Sequence, residues 1–382
     1  RHRPWISTGL PQKGNKKRAE AELARIRSTY EPPTELEELN SDMPFADYLL
    51  QWLDIVKVRV KIATYASYEG MVKSSIEPYF RKKGCTLRGL EPRHIQQFYT
   101  EKLKTVKPNS VIHYHAVIHQ ALKYALKTDL VSQNVALKVD RPKKNDFQPV
   151  FLDAAELQHL FEVIKGTKLE LPVLVAAFYG LRRGEVCGLK WDAIDFERGT
   201  LTVKRTVTSI QLDGKTQMIE QESAKTKFSM RTLPLVGSFK EYFQKVKEAQ
   251  TLNKKVCGNC YNYEYDGFVF VDEMGDLLKP DYLTTQFPAF IQRNGMKKMR
   301  FHDLRHSCAS LLLANGVPLK QIQDWLGHSD FSTTANIYAH LDYSSKISSA
   351  QAMVSGMFLP DAEGFQSKWS EIEKSDDEAA AR

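Results

Sequence analysis

The sequence predicts a multidomain, mainly α fold: an N-terminal α+β remnant, then a helical domain, then a larger mixed α/β domain that is itself mostly helical. Three observations predict it. Apolar residues recur at the three-and-four spacing of a buried helix face between residues 43 and 137. Strand-like patterning is clearest beyond residue 150, at Gly199–Ile210 and Arg231–Leu235, with a short Phe268–Val271 later. Two proline-bearing stretches, at Pro32-Pro33 and from Lys138 to Pro149, interrupt the periodic segments as linkers. A chain of 382 residues, 42% of them apolar, is long enough to bury two or three separate cores.

Residues 1–30 read as a strand, Trp5 to Leu10, a turn at Pro11–Gly14, and a basic helix through Ala19, Ala21, Leu23, Ala24 and Ile26. No preceding segment offers that strand a partner, so it reads as part of a larger small domain. In residues 43–137 the first helix buries Phe45, Tyr48, Leu49, Trp52, Leu53 and Val56. A second is expected to start at Thr64, capped by its hydroxyl, and a third carries Ile95, Phe98 and Leu103. Asn109-Ser110 offers a cap for a long fourth helix with Val111, Tyr114, Ile118, Ala121, Leu122 and Ala125 on one side. After a linker at 138–150, Asp153-x-x-Glu156 signals the first helix of a domain spanning 151–345. Residues 346–382 form a tail.

Charge is unevenly distributed along the chain. The formal net charge is +8 with a sequence pI near 9.0; by segment it is +6 for residues 1–30, −5 for 31–43, +9 for 44–150 and −4 for 360–382. The basic residues Lys57, Arg59, Lys61, Lys82, Lys83, Lys143 and Lys144 are candidate phosphate contacts, although a basic helix face is often only a solvated one. Five cysteines, Cys85, Cys187, Cys257, Cys260 and Cys308, make no disulfide framework and fit a reducing compartment. Cys257-x-x-Cys260 has half the ligands of a zinc site and no second pair, which favours free thiols. With no long apolar run and no leader-like N-terminus, a soluble, cytoplasmic protein is expected.

Four clusters in the last domain carry the chemistry. Gly180-Leu-Arg-Arg-Gly-Glu185 joins two helices; its plain reading is a corner with Glu185 paired to an arginine, but Arg182 can also offer its planar fork to phosphate oxygens. Ser223-Ala-Lys225-Thr-Lys227 precedes a strand, and either lysine there can serve as a general acid. His302-Asp-Leu-Arg305-His306 places His302 and Arg305 three apart at the start of an apolar helix. Leu326-Gly-His328 ends a helix and leads to Tyr338-Ala-His340. A lone tyrosine on such a helix is ordinarily a packed side chain with its hydroxyl hydrogen-bonded.

Taken together, the four clusters resemble the tyrosine recombinase (phage integrase) family. The match to GLRxxE, HxLRH, LGH and the downstream tyrosine runs from about residue 150 to 345. The helical domain resembles that family's core-DNA-binding domain, and Ile6–Leu10 with Lys13–Ala19 resembles the arm-DNA-binding domain of integrases from conjugative transposons. The resemblance implies that Tyr338 attacks a DNA phosphorus to form a 3′-phosphotyrosine. Arg182, Arg305 and His328 would then stabilise the growing negative charge, Lys225 would protonate the leaving 5′-hydroxyl, and His302 would move the tyrosine proton. It also implies no cofactor or metal, and a tetramer on two double-stranded DNA sites, the segment Ile347 to Leu359 docking on a neighbour. An excisionase is an expected accessory partner. A type IB topoisomerase is the nearest alternative, and a DNA-binding regulator without catalysis the next; His302 ahead of Arg305 and the LGH cluster favour the recombinase.

Overall fold

The computed structural model describes residues 16–18, 20, 21, 25, 40–145, 150–222 and 230–329. The expected N-terminal strand, the Lys225 segment and everything from Asp330 onward, Tyr338 included, lie outside the described residues. The chain divides into two compact units, residues 1–145 and 146–382.

In the first unit, α1 (Phe45–Lys57) buries Phe45, Ala46, Tyr48, Leu49, Trp52, Leu53 and Val56, the face its periodicity predicts. Each large apolar side chain so buried contributes roughly 1.5–3 kcal/mol. The second helix starts earlier than Thr64: α2 spans Ile62–Met71, its N-cap is Lys61, and no side chain caps it. It runs on through a π-helical turn at Val72–Ile76 into α3 (Glu77–Lys83). Val72 and Ile76, at the two ends of that turn, are both fully buried. α4 is Pro92–Lys102, and α5 is Pro108–Lys127. Asn109 does not cap α5, whose N-cap is Lys107; its side-chain oxygen instead accepts from the Asn145 amide at 3.2 Å. The Tyr48 hydroxyl donates to the Ala121 carbonyl at 2.7 Å and so fixes α1 against α5.

The second unit opens with α6 (Ala154–Ile164), capped as predicted: Glu156 N–H donates to Asp153 at 2.8 Å and Asp153 N–H donates to Glu156 at 2.9 Å. α7 (Glu170–Tyr179) is almost wholly apolar and lies inside the core, followed by the short α8 (Arg183–Cys187). The predicted strand at 199–210 is two strands. Strand β1 (Ile194–Asp195) pairs antiparallel with β2 (Thr200–Val203), which pairs with β5 (Arg231–Pro234). Past Lys204 the chain enters a separate ribbon of β3 (Arg205–Leu212) and β4 (Lys215–Glu222), closed by Asp213-Gly214, both at positive φ as a two-residue hairpin turn requires. Phe268–Val271 forms no strand, only isolated bridges from Phe268 to Lys190 and from Val271 to Leu277, because its amides and carbonyls are shared among separate loops. Helices α9 (Phe239–Cys257), α10 (Pro280–Arg293), α11 (Asp303–Ala314) and α12 (Leu319–Leu326) complete the unit.

The join between α7 and α8 depends on Gly180, which ends α7 in the left-handed region at φ 62°. A Cβ there would stand 2.3 Å from Leu326 Cδ2 and 3.4 Å from Cys308 Sγ. Gly166 has a similar positive φ of 76° but open space around it. Gly166→Ala is therefore expected to cost about 1 kcal/mol of unfolding free energy through φ alone. Gly180→Ala should cost clearly more, because α12 must also move; urea titration of both variants checks the ranking, and equal losses would refute it.

Candidate active site

The site is organised around a buried carboxylate. Arg182 is the N-cap of α8 and Glu185 its third residue, so the Glu185 side chain folds back to accept the Arg182 amide at 3.0 Å and Arg182 Nη1 at 2.7 Å. Arg231, at the start of β5, donates to the same carboxylate from Nη2 at 2.9 Å and Nη1 at 3.3 Å. Glu185 is 2% exposed. Burial pushes its carboxyl up, but Arg231, with Arg305 and Arg182 adding to it, overrides this and holds the pKa at about 2. The Arg182 side chain remains 38% exposed, so its guanidinium is held from behind and open in front.

Both arginines also reach the end of α12. Arg182 Nη2 donates to the Gly327 carbonyl at 3.1 Å, and Arg231 Nε to the Trp325 carbonyl at 2.8 Å. Gly327 ends the helix in the left-handed conformation, as predicted, and turns the chain toward His328. Gln323 fixes that turn: its carbonyl accepts the His328 amide at 3.1 Å and its side-chain amide donates to the His328 carbonyl at 2.9 Å.

α11 supplies the remaining groups. His302 is its N-cap, with its imidazole partly desolvated, while Arg305, three residues on, is only 1% exposed and donates from Nη1 to the Gly180 carbonyl at 2.6 Å. Arg300 holds Asp303 through Nη2 at 2.7 Å and through its amide at 2.8 Å, tying the approach to the helix start. The His302 and His306 rings meet edge to face with centroids 5.3 Å apart. Desolvation, followed by the nearby Arg305, lowers the His302 pKa. Desolvation and His302 bring His306 to about 4, and desolvation with Arg305 and Arg182 brings His328 to about 3. All three imidazoles are therefore neutral at pH 7, and the positive charge resides on the guanidinium groups.

Of the sequence-predicted site residues, Arg182, His302, Arg305 and His328 lie close enough that the charges of Arg182 and Arg305 lower both histidines. Lys225, Lys227 and Tyr338 fall outside the described residues. Arg231 was missed as a site residue by reading the sequence. The signal was available: Arg231, Leu233 and Leu235 alternate on the inward side of one strand, and an arginine in that row needs a buried partner. In the first unit Lys57 lies 5.5 Å from the Tyr65 ring, Arg59 4.9 Å from Tyr124, and Lys83 5.5 Å from Tyr79. Lys61 stands at the N-cap position of α2 without a side-chain cap, Lys82 lies in the last turn of α3, and Lys143 and Lys144 are exposed outside regular secondary structure. Among the described residues no group of three or more His, Cys, Asp or Glu side chains is placed to hold a metal, and Cys257 Sγ instead lies 3.7 Å from the Glu273 carbonyl and 3.9 Å from Met274 Sδ.

A helical unit is thus followed by a mostly helical unit with two small antiparallel sheets, in which a cluster of guanidinium groups is built on one buried glutamate, chemistry suited to an anion. Residues 150–345 match the model of the phage integrase family, and residues 44–103 match that of the phage integrase N-terminal SAM-like domain. The chain belongs to the phage integrase family. It is 28% identical over 329 residues, 82% of this chain and 83% of the other, to a tyrosine recombinase XerC-like protein of Caldanaerobacter subterraneus subsp. tengcongensis. With a probable integrase of prophage ps2 from Lactococcus lactis subsp. lactis it shares 26% identity over 333 residues, 81% and 82% of the two chains. Its fold is similar to that of the Tn1549 transposon integrase in complex with a circular intermediate DNA, with a TM-score of 0.65 at 19% identity, covering 81% of this chain and 99% of that one. A lambda integrase tetramer bound to a Holliday junction gives a TM-score of 0.55 at 19% identity, covering 85% and 90%. Among the described residues no helix is long and apolar enough to cross a membrane.

The lowered histidines set a direction for stability against pH. Their folded pKa values lie below the unfolded value of 6.5, so the unfolded chain takes up more protons as pH falls. The contribution from keeping them neutral is whole above pH 6.5 and is lost between 6.5 and about 4 for His306, and about 3 for His328. Glu185 adds a further loss between 4.5 and about 2. Urea midpoints are expected to fall steadily from pH 6.5 to 4.5, with a shallower fall for His306→Gln; parallel slopes for the two proteins would contradict the assignment.

Proposed function

We propose that this DNA breaking–rejoining enzyme of the tyrosine recombinase family is a site-specific integrase that inserts and excises a mobile element. The observation that carries the reading is that Arg182, Arg305 and neutral His328 lie within electrostatic reach of one another around Glu185, an arrangement suited to the nonbridging oxygens of one phosphodiester. The Tyr338 hydroxyl oxygen attacks phosphorus, the P–O5′ bond breaks, and a 3′-phosphotyrosine forms. Neutral His302 accepts the tyrosine proton, and Lys225, or Lys227 in its place, gives a proton to the departing 5′ oxygen. The 5′-hydroxyl of a second strand then attacks the same phosphorus and releases the tyrosine. The covalent link conserves the energy of the original bond, so resealing needs no nucleotide hydrolysis.

Domain boundaries follow the same reading: a partial arm-binding domain at 1–30, a core-binding domain at 43–137, a linker at 138–150, a catalytic domain at 151–345 and a tail at 346–382. Four protomers hold two duplexes, the Ile347 to Leu359 stretch docking between neighbours, with an excisionase-type accessory protein biasing direction. Lys57, Arg59, Lys61, Lys82, Lys83, Lys143 and Lys144 neutralise backbone phosphates.

Incubation with duplexes from the flanks of its own coding sequence, carrying a nick that traps the cleaved end, should give a covalent protein–DNA adduct. Tyr338→Phe should give none; an adduct in that variant, or none with the wild type, would sink the reading. Transfer of the trapped end to a separate duplex distinguishes recombination from simple relaxation. In binding titrations, replacing Lys82 or Lys143 by Ala should weaken all DNA sequences alike and reduce the slope of log K against log salt by roughly 1 each; an unchanged slope would remove that residue from the interface.

A further inference from the structure

We infer that Arg231 is a positioning residue for the cleavage reaction, setting Arg182 and His328 in register with each other without itself touching DNA. The inference rests on the recombinase reading above. Every guanidinium nitrogen of Arg231 is already bonded within the protein, Nη1 and Nη2 to Glu185 and Nε to the Trp325 carbonyl, whereas the Arg182 side chain is 38% exposed, so a bound phosphate meets Arg182 and not Arg231.

The geometry of α12 gives the reason. The last carbonyls of a helix have no intrahelical partner and form the negative end of its dipole. Here the Gln323 and Asp324 carbonyls accept backbone amides of residues 327 and 328, while Trp325 and Gly327, on either side of Leu326, accept from Arg231 and Arg182 respectively. Both arginines are in turn bonded to Glu185. Two guanidinium groups anchored on one carboxylate thus grip two carbonyls of the turn that delivers His328. A displacement of Arg231 moves Glu185, and with it Arg182, and also frees one side of the His328 turn. Arg231 opens β5, six residues after Lys225 in sequence, so it also fixes the strand to which the lysine segment returns.

No single ammonium reproduces this. Lysine keeps the charge that offsets Glu185 but lacks the rigid fork that bonds both carboxylate oxygens and a carbonyl at once. Arg231→Lys is therefore the informative variant, whereas Arg231→Met leaves a buried carboxylate with only one direct guanidinium partner and is expected to fold poorly.

The test is single-turnover cleavage by the full chain on the trapping duplex, with the enzyme saturating. The rate constant reports the geometry of folded protomers, and the final adduct yield reports how many protomers are folded. For Arg231→Lys the yield and the DNA affinity should stay within twofold of wild type while the rate constant falls by about 10- to 100-fold. A lower yield at an unchanged rate constant would mean that Arg231 only supports folding, and would overturn the inference. A second arm uses a substrate with sulfur in place of the bridging 5′ oxygen, a leaving group that needs no proton. The rate deficit should persist there, because Arg231 acts through the groups that bind the phosphate; full rescue by sulfur would assign it to the lysine's proton transfer instead and overturn the inference as well. An adduct from wild type with an unaffected Arg231→Lys rate sinks this inference alone, whereas failure of the wild type to form any adduct sinks the recombinase reading and this inference with it.

Discussion

Burying a carboxylate with almost no solvent contact costs several kcal/mol unless its oxygens are filled, and Glu185 fills them with two guanidinium groups and a backbone amide. That one requirement ties together segments far apart in sequence: the α7–α8 corner, the first residue of β5 and the end of α12. A buried ion pair of this kind contributes little net stability relative to an apolar replacement, but it is directional. A leucine at position 185 would accept many packings of Arg182; a carboxylate with this hydrogen-bond set accepts one.

The same carboxylate governs the electrostatics around it. Arg182, Arg231 and Arg305 crowd about a single buried negative charge, so positive charge is left over for a phosphate. The histidines fit this excess by staying neutral. Protonating His328 beside Arg305 and Arg182 would add like charge in a desolvated place, which is why its pKa falls so far. A neutral imidazole still donates one N–H to an oxyanion, and at His302 it can still accept a proton. An incoming phosphate reverses part of this by supplying the missing negative charge.

Features set by local spacing were legible in the sequence. The buried face of α1, the Asp153–Glu156 capping box and the glycine-ended α12 each depend on residues within a turn or two of one another. Where tertiary contacts decide, reading failed. Thr64 lies inside α2 and does not cap it, because the helix begins at Ile62 behind an uncapped Lys61. Strand β4 was missed because Lys215 to Glu222 shows no apolar alternation: its two apolar residues, Met218 and Ile219, are adjacent and so fall on opposite faces, and only Asp213-Gly214 marked the hairpin. Within the site, Arg182, His302, Arg305 and His328 stood in recognisable motifs. Arg231 did not, because its partner Glu185 is 46 residues away and nothing near it in sequence reveals the carboxylate it holds.

The split between the two small sheets has a consequence for the lysine. Residues 223–229 leave β4, which belongs to the ribbon, and return to β5, which belongs to the other sheet. Lys225 is three residues from the end of β4 and six from Arg231 in sequence. In the proposed reaction this lysine is the proton donor, joined by short stretches of chain to strands of two different sheets. In that role a short connection at each end would raise the local concentration of the acid at the scissile phosphate. Length changes in residues 223–229 would retune that concentration while leaving every phosphate-binding group in place.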